Sequence, residues 1–323
     1  MSKKGDIIHG PINSNVIFDN NYSTDIIEST EVVIVIKAGF DDYKRVSLNI
    51  HGICQGIVDS SELRAWQNAQ NCHHDVNCPA GNGWENQRDA VAFVTINGQF
   101  ICSGSLINNQ CQDVRSYFLT AFHCLDINII NGILDQSEQN LSNYTFRFKY
   151  EASQPQCPGT STGNQGEWIT YSGAIFRSAN NPSDFALIEL NGSVINQKNI
   201  ALAGWNRENV SPTTTTIIHH PVADAKKITR DNQTAVRNGN FWELAIDLGQ
   251  TEGGTSGGPY FDQNGLIIGQ HSGTGQSNLP ICQRTIKFGG RFDLSWAGNG
   301  TNTTRLSNWL GGVNPPATLA LIR

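Results

Sequence analysis

Hydrophobic positions in this chain come in short runs bounded by turn residues, a spacing that suits strands better than helices. Val91 to Ile96 and Gln99 to Gly104 flank Asn97-Gly98, a dipeptide that favours a tight hairpin because both residues tolerate positive φ. Tyr117 to Ala121 reads as a buried strand running straight into Phe122-His123-Cys124. Phe146 to Tyr150, Trp168 to Phe176 and Phe185 to Leu190 continue the series. A second set follows at Thr213 to Ile218, Phe241 to Leu248, Leu266 to Gln270 and Gly290 to Trp296. Many short strands in two groups predict an all-β protein of two barrels or sandwiches. Thr303 to Leu310, stopped by Gly311-Gly312, carries the signals of one C-terminal helix.

The first part of the chain has a different texture. Residues 1–29 are polar and aperiodic, Val32 to Ile36 is a β-branched run, and Val46, Leu48 and Ile50 alternate with polar residues. This predicts two strands around a turn near Asp41-Asp42, with a helical turn at Ser60 to Trp66. Residues 1–66 thus read as a small β-rich N-terminal unit with a linker.

Composition narrows the function classes. At 323 residues the chain can bury a large core; charged residues are only 15% and glycine numbers 32, which again favours strands and loops. The net charge of −6 has no basic block behind it, so nucleic acid is not an expected partner. No apolar run reaches the ~18 residues of a membrane span, and no membrane association is expected. Eight cysteines, widely spread and without a C-x-x-C pair, predict disulfides and an oxidising compartment. Met1-Ser2-Lys3-Lys4-Gly5-Asp6 opens no apolar signal region, so either a leader is absent from this sequence or the export route is not visible in it. Cys72-His73-His74-Asp75 with Cys78 looks at first like a zinc cluster but lacks a second ligand pair. Neither metal nor cofactor is expected.

The densest chemical signal is Gly253-Gly254-Thr255-Ser256-Gly257-Gly258-Pro259. Glycines on both sides of a serine leave its hydroxyl accessible and let a ligand approach main-chain N–H donors. Acyl transfer needs that combination, although alone the stretch is equally a glycine-rich turn between strands. A serine hydroxyl also needs a base, and the base needs an orienting group. His123 ends a buried strand beside a cysteine, where it is either such a base or a satisfied core residue. Asp184 precedes the apolar run Phe185-Ala186-Leu187-Ile188, either as a buried carboxylate seeking a partner or as a strand-start cap. His219-His220-Pro221 reads as structural.

The order His123, Asp184, Ser256 is that of chymotrypsin. T-A-F-H-C, S-D-F-A-L-I-E-L and G-G-T-S-G-G-P resemble the three active-site motifs of trypsin-like serine proteases, and within them the bacterial lysyl endopeptidases. The similarity runs from about Cys72 to Leu310. It implies two six-stranded antiparallel β-barrels, at about 84–195 and 200–297, and a helix at about 303–311, within a protease domain of 67–323. It further implies His123 as general base, Asp184 as its orienting group, Ser256 as nucleophile, and the N–H groups of Gly254 and Ser256 as the oxyanion hole. Disulfides Cys72–Cys282, Cys78–Cys157 and Cys102–Cys124 carry over, leaving Cys54 and Cys111 to pair with each other or stay free. Residues 30–66 resemble the end of a propeptide, which implies a zymogen cut between about Asp59 and Asn71. Thr255 stands where trypsin has an aspartate, so a freed N-terminal ammonium finds no carboxylate there. The expectation is a secreted, monomeric endopeptidase acting on protein or peptide substrates; an inactive protease-fold binding module and a non-proteolytic esterase are the competing classes.

One departure concerns the specificity pocket. Lysyl endopeptidases place an aspartate four residues before the arginine of a Gly-Arg motif; counting back from Arg291, this chain has Lys287 there. His271 lies fifteen residues after Ser256, which resembles glutamyl endopeptidases, where a histidine in this segment contacts the substrate carboxylate. Arg237 falls near a pocket tryptophan of the lysyl enzymes. An ammonium in the pocket opposes a substrate lysine and favours Glu or Asp. The alternatives are a neutral pocket, with Lys287 turned to solvent and His271 merely packed, or lysyl specificity.

Overall fold

In the computed structural model, which describes residues 22–24, 32–39, 44–50, 53, 69–128, 130–159, 168–192 and 199–323, the hairpin at Asn97-Gly98 forms as its chemistry demands, with φ of 51° and 67°. In chain order the elements begin with a two-residue strand β1 (His74–Asp75), a short helix α1 (Glu85–Ala90), β2 (Val91–Ile96), β3 (Phe100–Leu106) and β4 (Tyr117–Ala121). They continue with β5 (Asn140–Phe148), β6 (Ile169–Asn180) and β7 (Phe185–Leu190). Strands β2–β3–β4–β7–β6–β5 close into a six-stranded antiparallel barrel.

Both faces of these strands are used. Inside the barrel sit Ala92, Val94, Leu106, Phe118, Phe146, Phe148 and Ile188, with Phe118 edge-on to Phe146 at 5.1 Å. The alternate positions Val91, Tyr117, Leu119, Phe185 and Leu187 point outward into a second core, where they meet Trp205, Ile218, Ile228, Phe261 and Phe292. That is why the strands read as continuous apolar runs: one face fills the barrel and the other fills the seam.

Across the seam lie β8 (Trp205–Asn206), β9 (Thr215–His219), β10 (Lys227–Asp231), β11 (Val236–Asn238) and β12 (Phe241–Ala245). They are followed by β13 (Pro259–Phe261), β14 (Ile267–Thr274), β15 (Ile286–Arg291), helices α2 (Phe292–Ala297) and α3 (Ser307–Leu310), and β16 (Thr318–Leu319). The ladder runs β1–β10–β9–β13–β14–β15–β12–β11. The expected second barrel is therefore a ten-stranded sheet, curled so that only an isolated bridge, Arg230 to Leu248, joins β10 to the chain beyond β12. After Ala245 the Ile246 N–H turns to the Thr285 carbonyl, so little of that segment is left to pair with β10.

Other expectations are corrected. Residues 32–39 and 44–50 form no strand, and Val33 and Ile53 are 83% exposed; β-branched residues favour extended backbone but cannot supply the partner strand and covering face that hold it. The turn at Asp41-Asp42 and the segment Ser60 to Trp66 lie outside the described residues. The C-terminal helix is a single turn, α3, and the predicted strand at Gly290 to Trp296 ends at Arg291 and becomes α2. Phe292 and Ser295 are buried with Trp296 packed beside them, a helical spacing that an alternating strand pattern imitates over so short a span.

Because Phe118 is fully buried among aromatic rings, Phe118→Ala is expected to destabilise the fold by about 3–5 kcal/mol. Equilibrium urea unfolding measures this; a loss below about 1 kcal/mol would contradict the packing described.

Candidate active site

Local structure explains how each of the three residues arrives at the seam. His123 lies in a one-turn 3-10 helix, Phe122–Cys124, at the end of β4, and Cys124 is bonded to Cys102 of β3. Asp184 follows another such turn, Asn181–Ser183, whose start is capped by the Asn180 side chain accepting from the Ser183 N–H. Asp184 has φ of 51°, a left-handed conformation that aspartate tolerates, and it aims the side chain back at His123. The Asp184 carboxylate accepts from the His123 main-chain N–H at 3.1 Å and from Nδ1 at 2.9 Å. With Nδ1 protonated for that bond, Nε2 carries the lone pair and accepts from the Ser256 hydroxyl at 2.7 Å. Burial alone would lower the His123 pKa, but the hydrogen bond and charge of Asp184 outweigh it, and the pKa is raised above 6.5.

The turn that carries Ser256 is clamped from both sides. Ser103 of β3 donates its N–H to the Ser256 carbonyl and its hydroxyl to the Gly254 carbonyl, both at 2.8 Å. Val222 N–H donates to the Gly253 carbonyl at 2.6 Å, which turns the Gly254 N–H, on the far side of that peptide, away from Val222. The N–H groups of Gly254 and Ser256 have no hydrogen-bond partner among the described residues. Gly254 and Gly257 have φ of 91° and 78°, and a Cβ on Gly257 would collide with Thr120 Oγ1 and the Ser103 carbonyl. Glycine is required at these two positions.

Thr255 sits beneath this turn. Its hydroxyl accepts from Glu252 N–H and lies 2.9 Å from His219 Nδ1. Thr229 Oγ1 donates to the Gln250 carbonyl, so it accepts from His219 Nε2, and Nδ1 must accept from Thr255. Burial drives the His219 pKa well down, consistent with that neutral ring. The buried, structural reading of His219 agrees with this geometry, whereas Ser103 was missed. A serine within a strand carries no sequence signal for reaching another sheet.

Among the expected pocket residues, the structure gathers two. Lys287 on β15 is fully buried, and its Nζ has no hydrogen-bond partner among the described residues. Burial, helped by the charge of Arg284 and opposed by Glu252, lowers its pKa to about 7. Opposite it on β14 is Thr274, whose hydroxyl meets that of Thr251 at 3.1 Å. His271 on β14 is buried with Nδ1 bonded to the Tyr260 hydroxyl at 3.0 Å; burial, then the charges of Lys287 and His123, lower its pKa to about 3. A Cβ on Gly273, between His271 and Thr274, would meet nothing within 4 Å, which leaves this side open. Lys287 is not turned to solvent. Arg237, by contrast, is not brought here: it lies exposed on the outermost strand β11, donating to the Asn209 carbonyl over the Trp242 ring. Its loop became an edge hairpin, and the register with Trp242 sets it by Asn209 and the Arg291 end of β15.

The three expected disulfides form, with Cα separations of 5.7 Å for Cys72–Cys282 and Cys78–Cys157 and 6.4 Å for Cys102–Cys124. The bonding of Cys72 and Cys78 removes both thiolates from the apparent zinc cluster. Cys111 is exposed and has no disulfide partner among the described residues, and Cys54 lies outside them.

A closed barrel packed on a second sheet, with hydrogen-bonded His, Asp and Ser at the seam, is the chymotrypsin-like serine protease arrangement. Residues 66–285 match the family model of the lysyl endopeptidase C-terminal domain, and the chain belongs to that family. A lysyl endopeptidase from Pseudomonas aeruginosa is 27% identical over 237 residues, covering 67% of this chain and 48% of the relative, so the chain spans about half that protein's length. Among solved structures, a Glu endopeptidase is 21% identical with a TM-score of 0.41, covering 63% of this chain and 85% of its own. A thermostable serine protease, AL20, is 16% identical with a TM-score of 0.43, covering 64% and 92%.

Gly290, at the foot of the pocket strand, packs on the Asp184 loop: an added Cβ would overlap the Ser183 carbonyl and the Gln270 side chain. Gly290→Ala is expected to cost about 1–3 kcal/mol in stability and to displace the Asp184 carboxylate. The readout is the low-field proton NMR signal of His123 Nδ1–H, which should shift or vanish in the variant; an unchanged signal and melting temperature would refute the contact.

Proposed function

We propose that this protein is a serine endopeptidase that cleaves after acidic residues. Ser256 Oγ attacks the scissile carbonyl as His123 Nε2 takes its proton, and Asp184 stabilises the resulting imidazolium. The N–H groups of Gly254 and Ser256 then donate to the developing oxyanion. His123 returns the proton to the leaving amine, and water hydrolyses the acyl-enzyme by the same route. Residues 1–66 act as a propeptide, and the enzyme works as a secreted monomer, a setting that three disulfides suit.

The observation that carries the specificity is the buried Lys287, whose Nζ has no hydrogen-bond partner among the described residues. A buried unpaired charge is costly, and a substrate carboxylate entering beside it regains that cost, whereas a substrate lysine would add a second buried cation. His271, its Nδ1 bonded to Tyr260, lies near enough for the Lys287 charge to act on its ring. The family name favours lysine as the second reading, but the residue corresponding to the lysine-binding aspartate is itself a lysine here.

Four outcomes are expected. Ser256→Ala should lower peptide hydrolysis by about 10⁴-fold or more while the protein still unfolds cooperatively. In a peptide library the cuts should follow Glu or Asp; cuts after Lys or Arg would exclude the specificity. The pH dependence has a defined sign. Lys287 is charged below its pKa of about 7 in the free enzyme, so kcat/KM for a Glu substrate, relative to its Gln counterpart, should fall as pH rises through about 7. His123, with its pKa raised above 6.5, limits the acid side for both substrates. Lys287→Met should remove the pH-dependent part of the ratio and cost about 10- to 100-fold in Glu-over-Gln discrimination. A ratio that stays constant with pH in the parent enzyme would refute the role of Lys287.

A further inference from the structure

Thr255 occupies the position before the nucleophile where trypsin-like enzymes use an aspartate to lock the oxyanion turn. The turn nevertheless has an anion at its base. Glu252, two residues before Gly254, has a side chain only 6% exposed, and its Oε1 accepts from His73 Nε2 at 2.9 Å and from the Gln70 main-chain N–H at 2.8 Å. Both donors belong to the segment that enters the protease region, which Cys72–Cys282 straps to the second sheet. The main chain of the same residue closes the turn: its carbonyl accepts from Thr255 N–H at 3.0 Å, and its N–H donates to Thr255 Oγ1 at 3.2 Å.

The other end of the turn rests on the same buried platform. The His73 and His219 rings lie 6.0 Å apart, and His219 Nδ1 holds the Thr255 hydroxyl. His73 is fully buried and its pKa is lowered by burial, so it serves as a neutral donor through Nε2. Nothing in the trypsin-like motifs marks Glu252 or His73, because the first is ahead of the glycines and the second lies 179 residues away.

From this geometry we infer that Glu252 is a positioning residue for the oxyanion turn, held by His73 and the Gln70 N–H, in place of the aspartate that Thr255 replaces. The role rests on the proposed peptidase reaction, which the Gly254 and Ser256 N–H groups serve only when the turn keeps its shape. Glu252 acts through accepted hydrogen bonds, so glutamine, which retains Oε1, substitutes for it while alanine does not.

The test compares Glu252→Ala, Glu252→Gln, His73→Ala and the Glu252→Ala/His73→Ala pair. With a Glu-containing peptide substrate, Glu252→Ala and His73→Ala should each lower kcat by about 10- to 100-fold with KM changed less than about threefold. Glu252→Gln should stay within about threefold of the parent, and the double variant should be no worse than either single one. A second readout is independent of any substrate: hydrogen exchange at the Thr255 and Val222 amides, which donate into the turn, should speed up at least about tenfold in Glu252→Ala and not in Glu252→Gln. Unchanged exchange in Glu252→Ala overturns the inference whether or not the peptidase reading holds. An unchanged kcat, a rise in KM alone, or Glu252→Gln as impaired as Glu252→Ala also overturns it. Loss of the peptidase reading alone would show as turnover surviving Ser256→Ala, with the exchange result intact.

Discussion

The geometry at the seam depends on reciprocal hydrogen bonds between two sheets that also share a large apolar core. Ser103, from the closed barrel, holds the Ser256 and Gly254 carbonyls of the second sheet's turn. Gln270, from the second sheet, returns the contact by donating Nε2 to the Ser183 and Asp184 carbonyls at 2.9 and 3.0 Å. Apolar burial is non-directional and would permit the two units to slide over one another. These bonds are directional and buried, so that a broken one leaves a buried carbonyl unpaired. They set the 2.7 Å spacing of His123 and Ser256, two residues contributed by different units.

The second sheet faces a conflict that the first barrel avoids. It must bury its own core around Trp242 and Tyr260 and also cover the seam with Trp205 and Phe261. It resolves this with small residues and irregular pairing. Gly269, Gly273, Gly289 and Gly290 line the β14–β15 ladder, whose register shifts between His271 and Gly273. The shift carries the ladder across an open position, so that His271 stays under Tyr260 while Thr274 comes opposite Lys287. Burial at that depth disfavours the ammonium form of Lys287 and lowers its pKa to about 7.

A second buried ionic system lies away from the pocket. Lys227, fully buried, pairs with Asp75 at 2.5 Å and with Asp224 at 3.4 Å, and joins the entering segment to β10. Burial, as the largest influence, raises the Asp224 pKa to about 6 against the opposing charge of Lys227. Together with the His73 contact to Glu252, these pairs hold the segment 70–78 on the second sheet by polar groups where few apolar side chains are available.

Much of the candidate site was legible in the sequence because its chemistry is local. A serine among glycines, a histidine ending an apolar strand before a cysteine, and an aspartate at the mouth of another strand each depend on neighbours within a few residues, and their order along the chain added the rest. The closed barrel was legible too, since the Asn97-Gly98 turn fixes the first hairpin and short apolar runs between turn residues mark the strands. What tertiary structure alone decided is what depends on distant partners. Val32 to Ile36 has strand character without a strand, because propensity cannot provide a neighbour to pair with. Arg237 and Lys287 are both cations near the expected pocket in sequence, yet register sends one to an exposed edge and buries the other. Ser103, Gln270 and Glu252 gain their roles from contacts 151, 86 and 179 residues away, and a side chain's worth at such a separation is set by which surfaces the folded sheets bring together.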